Sequence, residues 1–396
     1  MDIERFRQSP LGSLIPVNGV DGRTGDAYDH YGYAADPLGE PPILATETWQ
    51  AVFDAGHALG RLEQGAALVP NPALLRRPTI RREAQSTSAL EGTFAPIEDV
   101  LAADIVDEGS RSAALNEVVN YIIAAERAFD WVEEGRPITV GLICELHKTL
   151  VRGTAADNSE AGRIRRIPVA IGSRSGSIYD ARFIPMPPGA RLDTGFADLI
   201  EWAKTIPDSG NGIIRAAMAH YQFETLHPFN DGNGRLGRLL IVLHLSTAGL
   251  LSQSLLSVSP WFERRREDYQ DHLAAVSATG DWDPWIRFFA EGIQSSALDT
   301  AERLRQLLAL QQEIREQLRH SNARGVIRDI AELLVGVPYV TIPLLAERTG
   351  KTYPAVKTAV DRLLELKILE PTASSGVAKA FVARRVVDIM AQRFAG

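Results

Sequence analysis

Read only for apolar and polar positions, the chain is a succession of helices. Residues 213 to 226 (IIRAAMAHYQFETL) contain neither Gly nor Pro and recur apolar at helical spacing. Residues 236 to 248 (LGRLLIVLHLSTA) are apolar on every side, which predicts a buried helix, and Gly249 is its stop signal. Upstream, residues 46 to 62, 79 to 91, 96 to 103, 115 to 134 and 139 to 151 also read as helices. In the fourth of these, Leu115, Val118, Val119, Ile122, Ile123 and Phe129 mark one apolar face. Asn71-Pro72 pairs an N-cap with Pro at the first helical position and opens another short helix. Downstream, residues 259 to 276 predict a further helix, and Trp282, Trp285, Phe288 and Phe289 belong to a core. Residues 297 to 320 form a long polar helix with a single stripe of Leu304, Leu307, Leu308 and Ile314.

Three stretches break that rhythm. Residues 1 to 42, rich in Gly, Pro and Asp, show no sustained period and are expected as a loop-rich arm. Residues 162 to 188 place β-formers at 169 to 171 and 181 to 184 around a Gly/Ser-rich turn, which predicts a hairpin. Arg163 and Arg165 are read as braces for it, with structural pairing weighed equally against a ligand role. Near the C-terminus, a helix, a turn at Thr349-Gly350 and a helix from Tyr353 to about Leu366 precede residues 368 to 382. Those residues, bent at 374 to 376, suit a two-stranded wing.

With 396 residues, more than one domain is expected, and 45% hydrophobic against 23% charged residues excludes a disordered chain. The one cysteine, Cys144, excludes an intrachain disulfide and is read as a buried small hydrophobe. The first ten residues lack an apolar signal core, and the longest apolar run is interrupted by Arg238 and His244. No membrane span and a cytoplasmic location are therefore expected. The net charge of −8 is uneven: residues 321 to 396 carry eleven Lys or Arg against seven Asp or Glu. A basic module on an acidic body hints at nucleic acid.

The chemistry concentrates in HPFNDGNGRLGR, from His227 to Arg238, between the two helices at 213 and 236. The first N–H groups of a helix lack intrahelical partners, and the macrodipole adds about half a positive charge there. Gly232 and Gly234 let the backbone approach a ligand and adopt positive φ, which suits a phosphate. Arg235 and Arg238 supply forked donors for phosphate oxygens. Asp231 would repel bare phosphate, so a bridging Mg²⁺ is expected. His227 is the candidate general base. His147, with no Asp or glycine nest near it in sequence, is assigned a surface or packing role. Two decoys fail. Gly232, Gly234 and Gly237 fit G-x-G-x-x-G but follow a helix where a dinucleotide fold needs a strand. The GKT at 350 to 352 has Leu345 where a P-loop needs its first Gly.

HPFNDGNGRLGR resembles the signature of the Fic family, H-x-F-x-[D/E]-G-N-G-R-x-x-R, at every specified position. The resemblance implies a mainly α fold: a Fic-type helical bundle with a β-hairpin flap, here followed by a small C-terminal winged helix-turn-helix domain. It implies transfer of AMP from ATP to a Ser, Thr or Tyr hydroxyl of a protein. His227 would deprotonate the hydroxyl, Asp231 would hold Mg²⁺, and Gly232, Asn233 and Gly234 would form the anion hole. Arg235 and Arg238 would grip the β- and γ-phosphates, with Phe229 an inward anchor. Tyr269 falls near the place where relatives contact the nucleotide base. TSALEG, from Thr87 to Gly92, is similar to the family's inhibitory pattern, in which the Glu, here Glu91, pairs with the second motif Arg, here Arg238. From composition alone it would be a solvated helix end. The segment 162 to 188 corresponds to the flap that pairs with a target's main chain.

These readings divide the chain into a helical region at 1–110 with the inhibitory helix near 79–92, a catalytic domain at 111–295, a connecting helix at 296–320 and a winged helix at 321–396. On its second helix Lys357 and Arg362 would meet phosphates, opposed by Asp361 and Glu365. Such modules in relatives also serve protein contacts. Two functions stay open: a protein adenylyltransferase restrained by Glu91, acting on another protein or itself, and a DNA-binding regulator whose Fic body senses nucleotide. Intact His227 and Asp231 favour the first, since sensing requires neither. Relatives often dimerise, so a homodimer is an open expectation.

Overall fold

The computed structural model describes residues 1–20, 25–67, 72–173, 177–204, 211–253, 255–372 and 379–394. The expected N-cap at Asn71, part of the Gly/Ser-rich turn (174–176) and the expected bend at 374–376 lie outside them.

The chain runs α1 (Ile3–Phe6), β1 (Gly12–Val20), β2 (Ala27–Ala35), α2 (Thr46–Ala67), α3 (Pro72–Leu90), α4 (Ile97–Leu101), α5 (Ala113–Glu133) and α6 (Val140–Leu150). There follow α7 (Ala190–Lys204), α8 (Gly212–Leu226), α9 (Asn233–Thr247), α10 (Ser259–Arg264), α11 (Arg266–Thr279) and the 38-residue α12 (Asp283–His320). The end of the chain holds α13 (Val326–Leu333), β3 (Tyr339–Thr341), α14 (Ile342–Thr349), α15 (Tyr353–Glu365), β4 (Glu370–Thr372), β5 (Ala380–Val382) and α16 (Arg384–Ala391). Two compact units result. The first comprises Met1–His57, Ile123–Leu251 and Phe262–Gln294, the second Ala58–Ile122, Ser252–Trp261 and Ser295–Gly396. Each is assembled from separated stretches, where the sequence suggested consecutive blocks.

The first unit carries a correction. The N-terminal arm is an antiparallel hairpin, β1 on β2, in register from Gly12 opposite Ala35 to Val20 opposite Ala27. Its β-formers are diluted by Gly, Pro and Asp, which hid the alternation from the sequence. Its last residues are buried: Tyr33 and Ala35 join Phe6 and Ala278 in one apolar cluster. The expected hairpin at 162 to 188 is also corrected. Among the described residues it is reduced to one antiparallel bridge, Ile171 with Phe183, and a 3-10 turn at Ile178–Asp180. Pro185 and Pro187 have no N–H to donate, so a ladder cannot extend through them. Instead this segment leans on the first hairpin: the Tyr33 N–H donates to the Ile184 carbonyl at 2.8 Å. Helices α8 and α9 form the centre of the unit, and Trp285 of α12 ties to α8 by donating from Nε1 to the Ala217 carbonyl at 3.0 Å. Trp282, Trp285, Phe288 and Phe289 are all buried, as core aromatics should be.

In the second unit, α3 is polar in composition yet buried. Thr79, Arg81, Arg82, Glu83, Ser86, Thr87 and Ser88 are each less than 10% exposed. Such a helix must satisfy its polar groups pairwise. Arg81 Nη2 lies 2.7 Å and Arg77 Nη2 3.3 Å from the Asp104 carboxylate. Glu83 accepts from the Ser257 hydroxyl at 2.9 Å and the Ser259 N–H at 2.9 Å. Arg82 donates to the Met390 and Gln392 carbonyls at 3.1 Å each. At its end Gly92, with φ +90°, turns the chain and the Thr93 N–H returns to the Ser88 carbonyl. The C-terminal elements form an antiparallel sheet in the order β3-β5-β4 beside α14 and α15, whose turn is made at Gly350 with φ +65°. Among the described residues no helix is long and apolar enough to cross a membrane.

Candidate active site

The site is a loop from His227 to Gly232 that joins the end of α8 to the start of α9, both in the first unit. His227 closes α8 in the left-handed region, φ 48° and ψ 61°, which a residue with a Cβ adopts only when its surroundings hold it there. Arg165 holds it. Fully buried, its guanidinium donates from Nε to the His227 carbonyl at 2.7 Å, from Nη1 to Ile167 at 3.1 Å, and from Nη2 to the carbonyls of Met186 and Leu226. Its own N–H donates to Pro228 at 2.8 Å. These acceptors are backbone carbonyls at the negative end of α8 and along the segment that follows Arg165. Burial lowers the Arg165 pKa to about 10, so it stays charged at neutral pH. The brace expected at Arg165 thus reaches the candidate base itself.

His227 Nδ1 lies 3.3 Å from the Glu224 carbonyl and 3.9 Å from its carboxylate. A carbonyl only accepts, so Nδ1 carries the hydrogen in this contact. Glu224 was not singled out in the sequence. Gly237, one turn into α9, makes room for it: a Cβ there would stand 2.2 Å from Glu224 Oε1.

The far side of the loop is closed by Asn233, whose amide exchanges two hydrogen bonds with Phe229: Phe229 N–H to Oδ1 at 2.9 Å and Nδ2 to the Phe229 carbonyl at 2.8 Å. Its side chain is therefore spent on the loop, and only its backbone N–H faces the helix start. Gly232 is the N-cap of α9 with φ +73° and no side-chain cap; Gly234 sits within the helix. The Asp231 carboxylate is 57% exposed, accepts the Gly232 N–H at 2.6 Å and stands 3.6 Å from Arg235. Arg235 and Arg238 are buried on the first turns of α9, and Phe229 is fully buried.

His147 takes the packing role of the two offered by the sequence, and the structure adds hydrogen bonds to the motif loop. It is 3% exposed and bound to the loop. The Gly162 N–H donates to Nδ1 at 2.9 Å, so Nε2 bears the hydrogen and donates to the Asp231 carbonyl at 3.0 Å. Its ring stacks on Phe229 with centroids 4.1 Å apart and planes 9° from parallel. Burial lowers its pKa to about 4, so the imidazole is neutral. Its partners, 15 and 84 residues away, leave no local signal.

Tyr269 lies in the interior, 5% exposed, with its hydroxyl 2.7 Å from His220 Nε2. His220 Nδ1 in turn donates to the Gly237 carbonyl at 3.1 Å. This chain of contacts ties α11 to the motif helix. Cys144 is half-buried, and burial pushes its thiol pKa up. Thr87 and Glu91 belong to the second unit, Thr87 buried within α3 and Glu91 exposed just past its end. Lys357 and Arg362, exposed on α15, are paired to Asp361 at 2.7 Å and Glu365 at 2.6 Å.

An imidazole at the end of one helix, a glycine-capped start of the next and two buried guanidiniums come together in this mainly α-helical protein. Two family models match the chain: the Fic/DOC family N-terminal model over residues 49–130 and the Fic/DOC family model over residues 137–245. The chain belongs to the Fic/DOC family. It is 29% identical over 255 residues to protein adenylyltransferase fic-1 of Caenorhabditis briggsae, covering 62% of this chain and 45% of that protein. It is 30% identical over 209 residues to protein adenylyltransferase Fic of Culex quinquefasciatus, covering 52% of this chain and 37% of that protein. The chain thus spans less than half the length of these relatives. A crystal structure of a Fic family protein from Desulfovibrio desulfuricans G20 shares the fold, with TM-score 0.54 and 22% identity, over 87% of this chain and 98% of that one.

Proposed function

We propose that this chain transfers AMP from ATP to a Ser, Thr or Tyr hydroxyl of a protein, its own chain included. The observation that supports the reading is the short loop that sets the His227 imidazole, its Nδ1 against the Glu224 carbonyl, beside a helix start without a side-chain cap. His227 Nε2 takes the hydroxyl proton, and the oxygen attacks the α-phosphorus as pyrophosphate leaves. The amides at Gly232 to Gly234 and the guanidiniums of Arg235 and Arg238 hold the phosphates. The choice of AMP is supported by the relatives, which are named protein adenylyltransferases.

Mg²⁺ is the metal this donor set suits. Among the described residues no group of three His, Cys, Asp or Glu side chains could hold an ion. A hard cation would therefore share the exposed Asp231 carboxylate with phosphate oxygens, as Mg²⁺ does. Bound there, it would offset phosphate charge.

Glu91, at the end of α3, is the restraint: its carboxylate and a γ-phosphate compete for the Arg238 fork, with Thr87 on the same helix face. We read the C-terminal elements α13 to α16 and the sheet β3-β5-β4 as a winged helix. Because Lys357 and Arg362 are already paired on their own helix, this module fits protein contact better than DNA, and a homodimer is one such contact. We place the chain in the cytoplasm. The test is labelling with ATP carrying the label at the α-phosphate. Glu91→Gly should raise incorporation and His227→Ala should abolish it, while γ-label is not retained. Equal labelling by all variants would overturn the assignment of roles.

A further inference from the structure

We propose that His147 is a positioning residue that sets the direction of the peptide plane between Asp231 and Gly232. The inference deepens the adenylyl-transfer reading and rests on it for its activity readout. A peptide unit is planar, so its C=O and the following N–H point opposite ways and turn together. The Asp231 carbonyl is taken by His147 Nε2–H at 3.0 Å. Fixing that carbonyl fixes the direction of the Gly232 N–H, which in this structure donates to Asp231 Oδ1 at 2.6 Å at the start of α9. It also fixes the Cα from which the Asp231 carboxylate projects. Gly232 itself, with φ +73° and no side chain, offers little resistance to a peptide flip; the Asp231 carboxylate holds its N–H from within the loop, and His147 holds the carbonyl of the same peptide from outside it.

His147 is held from three sides for this task. The Gly162 N–H at Nδ1 selects the tautomer with hydrogen on Nε2, the one able to donate. The stack on Phe229 fixes the ring plane, and Phe229 is itself locked to Asn233. The ring thus acts through the backbone of the loop and touches neither hydroxyl nor nucleotide.

Three substitutions separate its functions. His147→Phe keeps the buried ring and its stack but loses both hydrogen bonds. In His147→Gln the amide NH₂ can reach the Nε2 position and donate to Asp231, while in His147→Asn the amide reaches only the Nδ1 position. With Glu91→Gly present in each, kcat for incorporation of α-labelled AMP should fall about 10–100-fold in the Phe and Asn variants, more than KM for ATP changes. The Gln variant should return to within about threefold of the parent. Amide hydrogen exchange at Gly232, measured without nucleotide, should quicken in the Phe and Asn variants and recover in the Gln variant. Equal kcat in all variants, or Gln as impaired as Asn, would overturn the proposal; if the Phe variant does not fold, the Gln and Asn pair decides. If the Glu91→Gly parent incorporates no label, the adenylyl-transfer reading has failed, and exchange alone then judges His147: an unchanged rate at Gly232 overturns its role.

Discussion

Replacing His244 by Leu should lessen the acid sensitivity of this protein. His244 lies on α9, 4% exposed, and its Nε2 has no hydrogen-bond partner among the described residues. It borders a small cavity of about 30 Å³ lined by Leu199, Ala216, Phe223 and Ile241. Burial, with Arg215 adding to it, lowers the pKa from 6.5 to about 4. The unfolded chain takes a proton near pH 6.5 and the folded one only near 4, so this contribution to stability is intact above 6.5 and is lost as pH falls toward 4. At pH 4.5 the loss is about 2 kcal/mol for this one group, worth several degrees of Tm. His147 and His220, lowered to about 4 and about 3 mainly by burial, lose stability in the same direction. The assay is a set of thermal melts from pH 7.5 to 4.5 for wild type and His244→Leu. The variant should match or exceed wild type by up to about 1 kcal/mol at pH 7.5, since a buried polar atom without a partner is removed. At pH 4.5 it should lead by a further ~2 kcal/mol. Parallel Tm curves for the two proteins across this range would refute the neutral, buried state assigned to His244.

Other outcomes follow from contacts already described. Arg165→Met strips donors from four buried carbonyls and should cost about 2–4 kcal/mol in denaturant melts, while releasing His227 and abolishing AMP incorporation. Asp104→Ala leaves Arg81 and Arg77 without their carboxylate and should destabilise the second unit by about 2–4 kcal/mol, read as an earlier urea transition. Burial works against the Asp104 charge, but Arg81 and Arg77 outweigh it and hold its carboxyl below the usual range, so this term fades only in strong acid. Lys357→Ala with Arg362→Ala should leave retention of duplex DNA in a gel shift unchanged; a loss of salt-sensitive binding would restore the DNA reading.

How much of this was legible in the sequence depended on the distance over which a residue finds its partners. Helices α8 and α9 were marked by their own period, and the motif by adjacent residues, so both were read within three residues of their ends. The N-terminal hairpin was missed because Gly12, Pro16 and Gly19 interrupt an alternation that only the partner strand reveals. Burial of α3 was invisible, since period and polarity describe a solvated helix, and its satisfaction comes from Asp104, Ser257, Ser259 and the carbonyls of Met390 and Gln392. Tyr269 was placed near a base by resemblance alone, and its contact with His220, 49 residues away, left no local signal. His147 carried no sign at all, because Gly162 and Asp231 meet it only through the fold.

The most direct measurement is the intact mass of the Glu91→Gly chain after incubation with ATP and Mg²⁺, beside the same chain carrying His227→Ala. The account expects the first to gain the mass of one or more adenylyl groups and the second to gain none. Adenylylation of both, or a gain of phosphate alone, would contradict the claim that His227 and the α9 cradle together perform AMP transfer.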